Sequence, residues 1–356
     1  MKRKLVCDDN YDNKVTHKVK KIKITNNSYI CLNDYYEHTI SDKKIKLDNI
    51  ISLDELIILG NKYSCKNFNI YKGINLRVLN LLIPDLLELN NLIGLQEAKK
   101  QIITHILYFI RGLASNPCDS CIDCELNIPC IKNIKDMFHT VITGPPGVGK
   151  TTFAKILGKI YCKLGKSQDK FNIVSRSQLV SGYLGRTAKK TQKAINKSVG
   201  GVLFIDEAYS LGNTGNQDSY SKECIDTLNL NLSENRDFVC IIAGYKDELE
   251  NCFFNVNPGL ERRFPFRYNI EPYTYNELVE ILIKKLESEN WEIHDKDYLL
   301  KLIENNYKYF NHYGGSMEIL MLNIKLAQAM NINTNYKEIE NDVLDVGIDM
   351  YKNNKL

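Results

Sequence analysis

No apolar run in this 356-residue sequence reaches the roughly 20 uninterrupted residues that a membrane-spanning helix needs. The richest stretch, Leu76 to Leu95, is broken by Pro84, Asp85 and Glu88. The opening MKRKLVCDDN carries charge with no apolar core behind it, so it does not read as a secretory leader. Strong charge of one sign is also missing. Lys and Arg number 47 against 43 Asp and Glu, and the net charge of +4 does not by itself argue for nucleic acid. Eleven cysteines, an odd number, point to reduced thiols in an intracellular compartment, cytoplasmic or nuclear, over a disulfide framework. The single tryptophan, Trp291, and the six histidines form no constellation.

What is present is enough chain for two or three domains, with ordinary apolar and charged fractions. Residues 1–50 are polar and lysine-rich, with KVKKIKI at Lys18 to Ile24. They read as a solvated, partly disordered tail, or as a nuclear-targeting or nucleic-acid patch. Residues 51–90 form a small accessory segment with no recognisable fold signature. From Asn91 the texture changes. NLIGLQEAKKQIITHILYFIRGL predicts an amphipathic helix with Ile102, Ile106, Phe109 and Ile110 on one face. A cysteine-rich insertion at 117–130 follows. Apolar strand patterns (FHTVITG, KFNIVSR, GGVLFIDEAY, DFVCIIAGY) then alternate with helical ones up to residue 271, which predicts an α/β domain with a parallel sheet covered on both faces. After Pro272 the strands stop, and residues 272–356 read as an all-helical lid.

The chemistry concentrates in two places. Gly144-Pro145-Pro146-Gly147-Val148-Gly149-Lys150-Thr151 matches GxxxxGK[ST] in full, behind an apolar strand and ahead of a helix. Glycines let the loop wrap phosphates so that backbone N–H groups point inward, and the helix N-terminus adds positive potential. Lys150 should reach the β- and γ-phosphates of ATP, and Thr151 should offer its hydroxyl to Mg²⁺. The second place is VLFIDE, Val202 to Glu207. Four apolar residues fit a buried parallel strand, and two carboxylates at its C-terminal end sit where such sheets bind ligands. Asp206 should hold the Mg²⁺ shell, and Glu207 should orient and polarise the attacking water.

With these motifs stand FIDEAYSL at Phe204 to Leu211, IIAGYKDEL at Ile241 to Leu249 and NPGLERRF at Asn257 to Phe264, in that order. Together they resemble AAA+ ATPases of the CfxQ/CbbX-like group, which includes red-type Rubisco activases and sporulation-type relatives. The resemblance covers about residues 91–330. It implies that Asn91-Leu-Ile-Gly-Leu packs near the adenine, and that Arg263, beside Arg262, is an arginine finger acting on a neighbouring subunit's γ-phosphate. A site completed in trans implies a homo-oligomer, in this family a hexameric ring. Gly182-Tyr183-Leu184-Gly185 resembles a pore loop that would project Tyr183 into the channel to grip an extended protein substrate. Two positions depart from the pattern: Tyr245 stands where most relatives carry the sensor-1 asparagine, and Gly314-Gly315-Ser316-Met317 lacks the sensor-2 arginine.

Four cysteines, Cys118, Cys121, Cys124 and Cys130, crowd the insertion as C-x₂-C-x₂-C-x₅-C. Four thiols can satisfy tetrahedral Zn²⁺, although three lie closer together than in the usual separated pairs. Free thiols in a variable loop, or an iron–sulfur cluster, are the other readings. Cys162, Cys224 and Cys240 fall in helix or strand patterns and read as buried small hydrophobes. Three functions therefore compete. The first is an ATP-driven, chaperone-like remodeller of proteins. The others are a nucleic-acid motor or loader on the same core and a weakly hydrolysing ATP-dependent switch. The core shows no basic-aromatic nucleic-acid module, which favours the first.

Overall fold

The computed structural model describes residues 52–63, 70–71, 73–113, 136–164, 170–183, 185–212, 219–234, 237–257, 259–331 and 337–353. The basic N-terminal tail and the cysteine cluster Cys118, Cys121, Cys124 and Cys130 lie outside these residues.

Five strands form the main sheet: β1 (Thr140–Thr143), β2 (Phe171–Val174), β3 (Val202–Ile205), β4 (Val239–Gly244) and β5 (Phe266–Asn269). All pair in parallel, in the order β2-β3-β4-β1-β5. The continuous apolar runs VLFI and VCIIAG occupy the interior of the sheet and are buried throughout, as strands covered on both faces must be. Side chains alternate across the pleat. Ile142, Val202, Phe204, Val239, Ile241 and Ala243 join one core. Val141, Leu203, Ile205, Cys240 and Ile242 join the other. After β1 the chain crosses to the far edge at β2, then returns through β3 to β4 beside β1. That reversal opens a crevice at the strands' C-terminal ends, where doubly wound sheets bind ligands.

One face carries α4 (Lys150–Lys163), whose Phe153, Ile156, Leu157 and Ile160 are buried in the first core. The opposite core takes side chains from α5 (Thr187–Ser198) and α6 (Ser219–Glu234), among them Ile195, Ile225, Leu228 and Leu232. The segment with no fold signature in sequence forms α1 (Leu53–Tyr63) and α2 (Leu76–Asn90). Their Leu56, Leu59, Leu79, Leu82 and Leu86 belong to the same core as α4, so this part does not bury a core of its own. Asp85 on α2, itself buried, pairs with Lys163 on α4 at 2.7 Å. Burial raises its pKa even though Lys163 pulls the other way.

Helix α3 (Gln96–Ile110) buries Ile102, Ile106, Phe109 and Ile110 as the periodicity requires. It starts later than the pattern beginning at Asn91, because Gly94 and Leu95 take left-handed φ values of 69° and 61° that no helix can include. The lid comprises α7 (Tyr275–Ser288), α8 (Lys296–Asn306), α9 (Tyr313–Met330) and α10 (Asn341–Asn353). A reciprocal capping box between Thr274 and Glu277 starts α7. The lid is not wholly helical: Glu292–Ile293 pairs in parallel with Glu338–Ile339, a two-residue ladder too short to leave a periodic signal. Leu278, Leu282, Met317 and Leu320 join the core that contains α4, so lid and sheet share one apolar interior.

Two histidines, His139 buried and His105 half-buried, serve this packing. His139 Nδ1 accepts the Cys240 N–H at 3.0 Å, which places its proton on Nε2, facing the Leu232 carbonyl at 3.3 Å. His105 on α3 meets the Tyr268 hydroxyl on β5 at 2.5 Å and packs edge-on against Phe266. Burial lowers the His105 pKa from 6.5 to about 4. An unfolded chain takes up this proton below pH 6.5 and the folded chain does not until about pH 4, so folding stability falls as the pH drops through that window. His105→Gln can accept the same hydrogen bond and cannot titrate. Its melting temperature should therefore fall less than the wild type's between pH 6.5 and 4. Parallel pH–melting curves for the two proteins would show that His105 stays charged, or plays no part.

Candidate nucleotide-binding and hydrolysis site

The loop after β1 reaches the crevice by means of its glycines. Gly144, Gly147 and Gly149 hold φ values of 157°, 77° and 87°. A Cβ at Gly147 would lie 1.9 Å from the His312 carbonyl oxygen, so this position is glycine for lid contact as well as for loop shape. Val148 is fully buried and offers the crevice only its backbone. The Tyr273 hydroxyl donates to the Val148 carbonyl at 3.0 Å and braces the loop from the lid side.

Lys150 and Thr151 open α4. The Lys150 ammonium donates to the carbonyls of Gly144 at 2.9 Å and Pro145 at 2.8 Å, and lies 4.8 Å from the centre of the Tyr245 ring. Burial lowers its pKa, opposed by the carboxylates of Asp206 and Glu207. The Thr151 hydroxyl donates to Asp206 Oδ2 at 2.7 Å. A hydroxyl and a carboxylate face to face are the oxygen donors a hard divalent cation takes. Among the described residues no group of three or more His, Cys, Asp or Glu could hold a metal ion. The hydroxyl and carboxylate of Thr151 and Asp206 fit Mg²⁺, which keeps most of its shell as water and phosphate oxygen.

Asp206 ends the buried run of β3, and its Oδ1 accepts the Glu207 N–H at 3.1 Å. Glu207 is exposed and takes a left-handed φ of 50°, which turns it out of the strand direction at the mouth of the crevice. Asp206, Glu207, Lys150 and Thr151 thus meet as the two motifs require. Tyr245 caps the end of β4 beside them, and its ring stacks on Tyr209 at 5.4 Å. Tyr209 falls within FIDEAYSL, but that motif assigns it no role; it meets Tyr245 because β3 and β4 are neighbours.

The remaining predicted residues lie elsewhere. Arg263 sits on a short 3₁₀ turn, Glu261–Arg263, and its buried Nε has no hydrogen-bond partner among the described residues. Arg262 beside it is exposed. Tyr183 is 68% exposed, and the Arg186 guanidinium lies 5.1 Å from its ring centre. It follows a single helical turn, Arg176–Leu179, and not the strand directly. Gly182 and Gly185 have open space where a Cβ would stand, and Leu184 lies outside the described residues. Met317 is fully buried in the shared core. The lid instead touches the loop through backbone: the Gly314 N–H donates to the Gly147 carbonyl at 3.0 Å.

Comparison with known proteins agrees with this geometry. Residues 140–272 match the ATPase family associated with various cellular activities (AAA). A putative CfxQ-like protein of Acanthamoeba polyphaga mimivirus is 40% identical over 288 residues, 79% of this chain and 66% of its own length. The stage V sporulation protein K of Bacillus subtilis is 34% identical over 222 residues, 60% of this chain and 68% of that protein. Among solved structures, the FIGL-1 AAA domain in complex with ADP superposes with a TM-score of 0.50 at 18% identity, covering 73% of this chain and 83% of that domain. At that identity the likeness speaks for the fold alone. With a complete P-loop, an acidic strand end beside it and relatives at this level of identity, the chain belongs to the AAA family of ATPases, among its CfxQ-like members.

Proposed function

We propose that this chain binds ATP with Mg²⁺, hydrolyses it, and works in a ring of like subunits to remodel a protein client. The observation that carries the reading is the 2.7 Å contact of Thr151 with Asp206, with Lys150 on the same helix end and Glu207 next in sequence. The backbone amides of the loop and Lys150 would bind the phosphates, and Thr151 with Asp206 would hold Mg²⁺. When bound, that ion would offset negative charge developing on the phosphate oxygens. Glu207, exposed at the end of β3, would hold a water in line with the γ-phosphate and draw off its proton. Gly94 packs against the Tyr273 ring, and the family resemblance would put Asn91 to Leu95 beside the adenine.

Two further observations support the ring and the client. Half-buried Arg263 and exposed Arg262 put guanidinium charge together on one short turn, where a neighbouring subunit's phosphate could be met. Tyr183 is a large apolar ring left mostly in solvent beside open glycines, which suits a projecting loop that contacts another chain.

Lys150→Ala should abolish ATP binding, whereas Glu207→Gln should keep ATP and lose turnover by on the order of a hundredfold or more. Equal loss of binding in both would end the division of roles. Arg263→Ala should cost about a thousandfold in hydrolysis with binding intact. Mixing it with Lys150→Ala subunits should restore part of the activity, because mixed rings rebuild complete sites; no recovery in rings proven mixed argues against action in trans. Tyr183→Ala should hydrolyse ATP and assemble normally while client remodelling stops, and Tyr183→Phe should keep most of it. Normal remodelling by Tyr183→Ala would remove the gripping role.

A further inference from the structure

Tyr245 occupies the place at the end of β4 where a water-positioning amide would be expected, and a phenol is a poor substitute for an amide. The geometry around it suggests another use. Its ring lies under the Lys150 ammonium, 4.8 Å from nitrogen to ring centre. A second ring joins the contact: Tyr209 stacks on Tyr245 with ring centres 5.4 Å apart and planes 22° apart. Gly244, just before Tyr245, makes the stack possible. A Cβ there would stand 2.9 Å from the Tyr209 Cδ1 and 3.0 Å from the Leu249 side chain, so any larger residue would push Tyr209 away. Tyr209 is in turn fixed to the end of β3. It rides the 3₁₀ turn Ala208–Leu211, which is closed by the Ser210 N–H donating to the Glu207 carbonyl at 2.8 Å.

We propose that Tyr245 and Tyr209 form an aromatic bridge that positions Lys150, with Tyr245 acting through the face of its ring and not through its hydroxyl. A partly desolvated ammonium gains most from such a face, because water no longer competes for it. Lys150 is in that condition: burial is the main influence on it and lowers its pKa. The bridge also links the phosphate-binding lysine to the turn that carries Glu207. The hydroxyls of both tyrosines feel that carboxylate: burial first, and then Glu207, raise the pKa of each, Tyr209 to about 12.

This inference rests on Lys150 being the phosphate-binding lysine, and its test separates the two ideas. In the full-length protein, the Kd for a fluorescent ATP analogue with Mg²⁺ and the kcat for ATP are measured for Tyr245→Phe, Tyr245→Leu and Tyr209→Leu. Tyr245→Phe keeps the ring and should stay within about twofold of wild type in both constants, whereas Tyr245→Leu should bind roughly tenfold more weakly and turn over more slowly. Tyr209→Leu should weaken binding in the same direction but less. A role in packing alone would lower the apo melting temperature and leave the affinity of the folded protein unchanged. Equal affinity of Tyr245→Leu and Tyr245→Phe overturns the bridge, and so does a Tyr245→Phe protein as weak as Tyr245→Leu. Should Tyr245→Leu fail to fold, Tyr209→Leu is read on the same two constants, and wild-type affinity there overturns it. A wild-type protein that binds nucleotide without hydrolysing it defeats the hydrolysis reading only, and the bridge is then judged on Kd.

Discussion

The hydrogen bond from Thr151 to Asp206 is the contact on which the rest of the site depends. It joins the first turn of α4 to the end of β3, two strands away from the strand that leads into α4. It can form only if β4 lies between β1 and β3 with all strands pointing the same way, so that their C-terminal ends finish at one level. Two fully buried apolar strands maintain that alignment. A one-residue slip of either would exchange its two faces between the cores and expose apolar side chains to the wrong partners. Core packing therefore sets the register, and the register sets the spacing between the lysine, the hydroxyl and the carboxylates.

A second constraint comes from the lid. Where the resemblance puts sensor 2 this chain has a buried methionine, and at Gly147 the lid meets the P-loop through main chain. Gly147 is squeezed between two demands, a left-handed φ and a carbonyl from His312 in the space a side chain would need. Tyr273 adds a hydroxyl on Val148 from the same side. A loop held at consecutive residues by the lid must feel a shift of the lid directly, without a charged side chain to carry it. The aromatic pair Tyr209 and Tyr245 does comparable work on the sheet side, supporting the lysine from beneath. The P-loop thus sits between a backbone clasp and an aromatic floor.

The N-terminal helices show how poorly an accessory segment reads until its partner is known. Apolar residues in α1 and α2 outnumber what a free helix would expose, and no pattern within the segment says where they go. Those of α2 cover α4, those of α1 pack on α2, and Asp85 meets Lys163 nearly eighty residues later in the chain. A buried carboxylate of this kind is tolerated because its cation comes with it.

From sequence alone the α/β class, the helical lid and the identities of Lys150, Thr151, Asp206 and Glu207 could be read. Each is a local signal: a glycine spacing, an apolar strand ending in acids, a 3.6-residue period. The start of α3, the small ladder in the lid, and the roles of Tyr209, Gly314 and Tyr273 could not be read. These depend on left-handed backbone at Gly94 and Leu95, or on pairs far apart in the chain, such as Tyr209 with Tyr245 and Gly147 with Gly314. A tyrosine in a strand-end motif looks the same whether it faces solvent, a client or a lysine. Sequence determined which groups could handle a phosphate, because that chemistry is written in residue type and short spacing. Tertiary structure decided which neighbours hold those groups in place, because contact between distant segments follows from strand order and core packing, which no local pattern encodes.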